Sequence, residues 1–179
     1  MADLSKALAA ATSALNTEIA ALNNFAKTLE TNLKPALEIL LECKGHVVIT
    51  GLGKSGLIGA KIAATLSSTG TTSFFLHSAD ALHGDSGALT SGDVLIAISN
   101  SGETAEVNAI AKMAKSSDAV ISIAFDKEAD PLNLAPTTST TLTIAAGDAL
   151  ASALMAHRGF SSQDFGKRHP GGALGKATN

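Results

Sequence analysis

At 179 residues, of which 45% are apolar and 16% charged, the chain is long enough for one globular domain with a sizeable core, and its composition argues against disorder. A net charge of −3 gives no support for nucleic-acid binding, and the single Cys43 excludes an intramolecular disulfide framework and a multi-cysteine zinc site. Since neither a signal peptide nor a run of about 18 apolar residues can be recognised, we expect a cytoplasmic protein that does not enter a membrane.

The first 44 residues are predicted to form a helical arm. Apolar residues recur at three- and four-residue steps, so that they share one face of a helix, and they are Leu15, Ile19, Leu22, Phe25 and Leu29. A second, short helix is predicted from Thr31 to Cys43, with Pro35 in its first turn and Gly45 ending it. The arm precedes the sheet, and it is equally suited to covering the core and to forming a subunit interface.

An alternation of strands and helices follows the arm. Short runs of β-branched and aromatic residues predict four strands, at His46–Thr50, Thr72–Leu76, Asp93–Ile98 and Ala119–Phe125. Between them, the segments Leu57–Ser68 and Thr104–Lys115 are predicted to be helices. This pattern predicts an α/β fold, a three-layer αβα sandwich with a mostly parallel central sheet.

Two more helices are predicted near the end of the chain. One runs from Pro136 to about His157, and the other opens at a capping box between Ser161 and Asp164. We therefore expect a single domain over residues 1–179, made of the arm (1–44) and a sheet-and-helix core (45–179).

A glycine-rich loop, Gly51–Gly56, follows the first predicted strand. It matches the dinucleotide-binding pattern of three glycines, but the next strand ends in Leu76 and His77 rather than in the acidic residue that holds a ribose. Its Gly-Lys-Ser core lacks the glycine spacing of a Walker loop. A phosphate site fits better, with Ser55 donating to the anion and Lys54 placing a point charge near it or near a developing oxyanion.

A second loop, Ser99–Glu106, follows the third predicted strand and opens a helix. Ser99, Ser101 and Thr104 can point at one anion, whereas ordinary helix capping would explain only one of the three hydroxyls. Glu106 lies one turn into the helix, where it could act as a base beside a bound substrate. Because the two loops follow strands of one parallel sheet, they predict a site for a small phosphorylated molecule.

Three histidines lie in loops. His77 and His83 flank a short segment after the second strand and give only a weak metal signal, because they are six residues apart. His169 begins a Pro- and Gly-rich segment near the end of the chain. That setting indicates a positioned reagent, which could reach a neighbouring subunit.

Together these segments resemble the sugar isomerase (SIS) domain, and more narrowly the D-arabinose 5-phosphate isomerases. Besides the two loops, the matching segments are Phe74–His77, Ala81–Asp85, Lys127–Ala129, Pro131–Thr137, Gly147–Leu150 and His169–Gly175. The resemblance covers almost all of the chain from about Thr31. It implies interconversion of D-arabinose 5-phosphate and D-ribulose 5-phosphate, without a redox cofactor, in the supply of the lipopolysaccharide sugar Kdo.

The resemblance also implies the site residues. The catalytic residues would be Lys54, Glu106, Glu128 and His169. Positions near the substrate would be Gly70, Thr71, His77 and His83. His77 additionally matches a position at which a divalent metal is expected to inhibit rather than to catalyse. Relatives are commonly tetramers, so we expect a homotetramer.

The implied chemistry suits these residue types. Isomerisation through a cis-enediol requires a base that moves a proton between C1 and C2, for which Glu106 and Glu128 are alternatives. Lys54 would stabilise the enediolate oxygen, and His169 would open the furanose ring. Hydroxyl groups would hold the 5-phosphate, namely those of Ser55, Ser99, Ser101 and Thr104.

The chain also departs from the family pattern. It ends at Asn179, where relatives usually continue into two CBS modules, so it is either a single-domain member or a truncated form. Between Glu106 and Glu128 it is short by about one strand and its helix, which suggests a lost or missing segment near Lys115–Ser116. Two other functions stay open: a non-catalytic phosphosugar-binding regulator, and an isomerase for another sugar phosphate.

Overall fold

The computed structural model describes residues 4–114 and 119–171. Its helices are α1 (Leu4–Glu42), α2 (Gly53–Ser68), α3 (Ser78–Leu82), α4 (Ala105–Ala111), α5 (Thr138–Arg158) and α6 (Ser162–Arg168), with a 3-10 turn at Asp85–Ala88. Its strands are β1 (Val47–Gly51), β2 (Ser73–His77) and β3 (Val94–Ile98). In the described part of the chain, no helix is long and apolar enough to cross a bilayer.

The three strands form a parallel sheet in the order β2-β1-β3. The central strand β1 is buried along its whole length, as the continuous apolar run predicted. Its last residue, Gly51, lies opposite His77 of β2 and Ile98 of β3. The carboxyl ends of all three strands therefore meet at one edge of the sheet.

Helices cover both faces of the sheet, which confirms the predicted α/β layering. Val47 and Ile49 of β1 belong to the main core, which they share with residues of α1, α2 and α5. Val48 points to the other face and packs in a smaller cluster with Ala81 of α3 and Ile110 of α4. Alternate side chains of one strand thus build two cores.

The predicted fourth strand, Ala119–Phe125, is wrong: these residues form no strand. Ile121, Ile123 and Phe125 still pack against the main core, and Val120 is 81% exposed, so the alternation typical of a strand is retained. What is missing is a pairing partner, because a cavity of about 520 Å³ lies along β3 and residues 119–123. The prediction of a lost or missing segment near Lys115–Ser116 falls on residues outside the described part of the chain.

The helical predictions need three further corrections. The arm is one continuous helix, with Pro35 inside it rather than in the first turn of a second helix. Burial of Leu33 and Leu40 compensates for the hydrogen bond that this proline removes, a loss of roughly 3 kcal/mol. The stretch after β2, expected as a loop, forms α3, and α4 ends at Ala111. The predicted α5 and the capping box of α6 are confirmed.

Candidate functional site

The glycine loop leads into α2 at the carboxyl edge of the sheet, and the helix begins at Gly53, four residues earlier than predicted, so the second half of the predicted loop is its first turn. Gly53 has φ +57°, a conformation that favours glycine. The N-cap residue, Leu52, gives the helix no side-chain cap, so the first-turn N–H groups are left for another acceptor. Lys54 and Ser55 stand in this turn, with the Lys54 side chain exposed. The arrangement suits an anion at the positive end of a 16-residue helix.

The serine loop is organised by its own hydroxyl groups. The Ser99 and Thr104 oxygens lie 3.0 Å apart, and Ser99 Oγ also accepts the Gly102 N–H at 3.0 Å. Ser101 Oγ accepts the Glu103 N–H at 3.1 Å. The Ser99–Thr104 bond uses one hydroxyl proton, whereas the other proton of that pair and the proton of Ser101 can donate outward, since a hydroxyl can accept and donate at once.

The two loops open onto one space. Ser55 of the glycine loop and Ser99 and Asn100 of the serine loop line the cavity that runs along β3. Ser139, in the first turn of α5, lines it as well. The structure thus brings together hydroxyls from both predicted phosphate loops, whereas Ser101 and Lys54 lie outside the cavity lining.

Glu128 is buried and bound by four hydrogen bonds at the start of α5. Its carboxylate accepts the N–H and hydroxyl groups of both Thr137 and Ser139, at 2.5–3.2 Å. Burial opposes its ionisation, but these four donors outweigh burial and hold the pKa of Glu128 below its ordinary value of 4.5. The carboxylate therefore acts as a cap for α5, one hydrogen bond away from the cavity wall.

Glu106 has a different setting. It stands in the first turn of α4, directly after the serine loop, and its side chain is half-buried. Its carboxylate makes no hydrogen bond or ion pair with the part of the chain that the structure describes. A carboxylate with free lone pairs beside a phosphate loop is available to accept a proton from a substrate.

His77 and His83 both lie at the carboxyl edge. His77 ends β2 beside Gly51, and its buried Nδ1 lies 3.6 Å from Asp80 Oδ2, too far for a hydrogen bond. His83 follows α3 and is exposed. Within residues 4–114 and 119–171, no three His, Cys, Asp or Glu side chains gather into a metal-binding group. Metal binding at His77 thus stays a prediction.

Gly70, Thr71 and His169 lie at the opposite edge of the sheet. Gly70 and Thr71 precede the first residue of β2, and Thr71 Oγ1 accepts a 2.6 Å hydrogen bond from Arg158. Arg168, next to His169, donates to the carbonyl of Ser67 in the last turn of α2. Lys54 stands in the first turn of that helix, so about 20 Å of helix separates it from this edge. One chain does not bring His169 to the carboxyl edge.

Thr137 and Ser139 were not identified from the sequence as partners of Glu128. A signal for them exists, because the hydroxyl run Thr137–Thr141 directly after Pro136 is typical of a helix start that binds an anion. Arg158 was missed as well. It lies in the last turn of α5, where the helix dipole alone accounts for a cation, so no sequence pattern points to its contact with Thr71.

Comparison with known sequences identifies relatives over most of the chain. A family model described as SIS domain matches residues 40–132. The chain is 48% identical over 177 residues to arabinose 5-phosphate isomerase KpsF of Escherichia coli strain CFT073, covering 88% of this chain and 54% of that protein. It is 50% identical over 160 residues to arabinose 5-phosphate isomerase KdsD of Pseudomonas aeruginosa PAO1, covering 79% and 49%. The chain thus spans about half the length of these relatives.

Solved structures share the fold. The Escherichia coli CFT073 protein c3406, solved in complex with arabinose 5-phosphate, superposes with a TM-score of 0.88 at 36% identity, covering 94% of this chain and all of that one. A Listeria monocytogenes protein provisionally assigned as a sugar-phosphate isomerase superposes with a TM-score of 0.84 at 29% identity, covering 96% and 100%. Both matches thus cover nearly the whole of this chain.

Proposed function

The chain belongs to the SIS domain family, and on that premise we propose that it is an aldose–ketose isomerase that interconverts D-arabinose 5-phosphate and D-ribulose 5-phosphate. The observation that carries the proposal is the cavity lined by both Ser55 and Ser99, since it joins two anion-binding loops at the carboxyl edge. The reaction would take place in the cytoplasm and supply Kdo for lipopolysaccharide, as the resemblance implies.

The 5-phosphate would be held between the two loops. The N–H groups at the start of α2 and the Ser55 hydroxyl donate from one side. The Ser99–Thr104 pair donates its one remaining hydroxyl proton from the other, with Ser101 at the rim. With the phosphate bound between the loops, the carbonyl end of the sugar would face the ionisable side chains of the carboxyl edge.

Glu106 is the favoured base for the enediol step. Its carboxylate has no hydrogen-bond partner among the residues that the structure describes, whereas Glu128 accepts from four donors that also lower its pKa and weaken it as a base. Glu106 would take the proton from C2 of the aldose and return it to C1, while the Lys54 ammonium stabilises the enediolate oxygen. His77 and His83 are placed to contact the sugar hydroxyls at the same edge.

Ring opening is assigned to His169 of a second copy. This histidine lies at the far edge of its own chain, stacked on Phe165 with ring centroids 3.8 Å apart. Gly70 and Thr71 lie at that edge too, so a contact between two copies would deliver all three to one substrate. The proposed assembly is the homotetramer that the resemblance implies.

A non-catalytic phosphosugar-binding module is the second candidate. The distance between Lys54 and His169 favours this candidate, because one chain keeps both phosphate loops but does not bring these two side chains together. An isomerase for another sugar phosphate would use the same loops. The substrate contacts at the carbonyl end distinguish these alternatives.

The test is an assay of the purified chain with arabinose 5-phosphate, glucose 6-phosphate and ribose 5-phosphate. We expect conversion of arabinose 5-phosphate alone, and a turnover lower by about 10²–10⁴-fold in Glu106→Gln. Glu103→Gln, three residues earlier in the serine loop and exposed, is the matched control and should retain turnover. Tight binding without turnover would support the regulator, and conversion of another sugar would reassign the substrate.

A further inference from the structure

The N-terminal half of α1 carries an apolar stripe that no residue within 4–114 or 119–171 covers. Leu4, Leu8, Leu15 and Ile19 are 66%, 66%, 59% and 47% exposed. At 3.6 residues per turn they fall within an arc of about 60°, so they form one narrow line along the helix. We call these four residues the α1 stripe. Large apolar residues aligned in this way mark an interaction surface.

The α1 stripe lies on an overhang. No residue between Leu4 and Ala20 is buried, and the first buried position of the helix is Ala21. This part extends about 25 Å beyond the buried portion, at 1.5 Å per residue. A helix of this length is only marginally stable alone in water, which indicates that it packs against something in the assembled protein.

The spacing of the α1 stripe identifies the partner. The intervals between its residues are four, seven and four, so the pattern reads the same in both directions. A twofold axis between Ala11 and Thr12 places Leu4 opposite Ile19 and Leu8 opposite Leu15 of a second chain. Such a surface is complementary to itself about this axis without any shift in register, as an isologous twofold interface requires.

We propose that the overhang of α1 pairs in antiparallel fashion with the same segment of a second copy of this chain. The small residues at its centre allow the two helices to approach closely at the axis. Between Leu4 and Ala26 the only charged residues are Lys6 and Glu18, of opposite sign, so no block of like charge opposes the pairing. The inference stands independently of the proposed reaction.

The first experiment measures mass in solution. Light scattering after size exclusion should give a mass for Leu8→Gln/Leu15→Gln that is half that of the unmodified chain. The matched control is Leu132→Gln/Leu134→Gln, which removes two leucines elsewhere that are 75% and 77% exposed and should leave the mass unchanged. Circular dichroism checks that the variants are folded. An unmodified chain that is monomeric, or a stripe variant of unchanged mass, would overturn the proposal.

The second experiment reads the orientation by disulfide cross-linking in a Cys43→Ser background. Single variants Leu4→Cys and Ile19→Cys should form no cross-link under oxidation, because each cysteine lies about 22 Å along the axis from its own copy. The double variant Leu4→Cys/Ile19→Cys should be covalently dimeric, as should Ala11→Cys at the axis. Cross-linking of the single variant Leu4→Cys would indicate parallel pairing and contradict the proposal, and so would a double variant that stays monomeric under denaturing conditions.

Discussion

The family resemblance implies a catalytic role for Glu128, but in this structure its carboxylate stabilises the start of α5. A carboxylate that is 8% exposed would be strongly destabilising without partners, and here four donors from Thr137 and Ser139 compensate it. They also join residues 128–137 to the start of α5. The sequence indicated Glu128 as a functional residue, but its partners depend on how the chain folds back between Glu128 and Thr137, which no local pattern specifies.

Replacing Glu128 with Gln should lower the free energy of unfolding by about 1.5–3 kcal/mol at neutral pH, because an amide cannot accept the four donors. Folding lowers the pKa of Glu128, so its stabilisation is fully present above the ordinary value of 4.5 and is lost as the pH falls through the folded-state value. The difference in free energy of unfolding between the variant and the unmodified chain should therefore shrink as the pH falls below about 4.5. Urea unfolding at several pH values measures it, with Glu103→Gln as the control. A difference that does not change with pH would refute the role of the charge.

At the scale of elements, the sequence predicted three of the four expected strands and most helices correctly, because their apolar patterns are local. The three strands lie within about one residue of their predicted bounds, and the capping box of α6 forms as Ser161 and Asp164 indicated. The prediction of a separate helix beginning near Pro35 was wrong, because burial of the helix face outweighs the local cost of the proline. The strand predicted at residues 119–125 was wrong, because a strand also requires a neighbouring strand to pair with, and the pattern of one segment does not show whether such a neighbour is present.

The crossing of α2 and α5 is tight at Gly147. A Cβ at this position would stand 2.5 Å from Ile62 Cγ1, closer than real carbon atoms approach. Gly147→Ala should therefore destabilise the fold by about 1–2 kcal/mol, since overpacking outweighs the gain of roughly 1 kcal/mol in helix propensity. Adding Ile62→Val should recover part of the loss, which a double-mutant cycle from thermal unfolding would detect. A single variant as stable as the unmodified chain would show that α5 shifts at no cost.

At the scale of the whole molecule, the proposed functional groups lie at the carboxyl edge of the sheet and at the opposite edge, about 20 Å apart. The overhang of α1 provides a third surface. Sequence reasoning assigned Lys54 and His169 to one site and allowed His169 to come from a neighbouring subunit, but motifs carry no information on which copy supplies each residue. A contact through the α1 stripe and a shared site between opposite edges are two distinct twofold interfaces. Together they would generate a dimer of dimers, which is the proposed tetramer.

Sharing of the site predicts complementation between inactive variants. Lys54→Ala and His169→Ala should each lose most turnover, because one removes the oxyanion partner and the other the ring-opening group. If the two residues come from different copies, a mixture reassembled from equal amounts should recover about a quarter of the unmodified turnover, since half of the shared pairs are mixed and each mixed pair holds one intact site. The reassembled single variants are the controls. Turnover in the mixture no greater than their average would place both residues in sites within one chain, and would require His169 to cross the molecule.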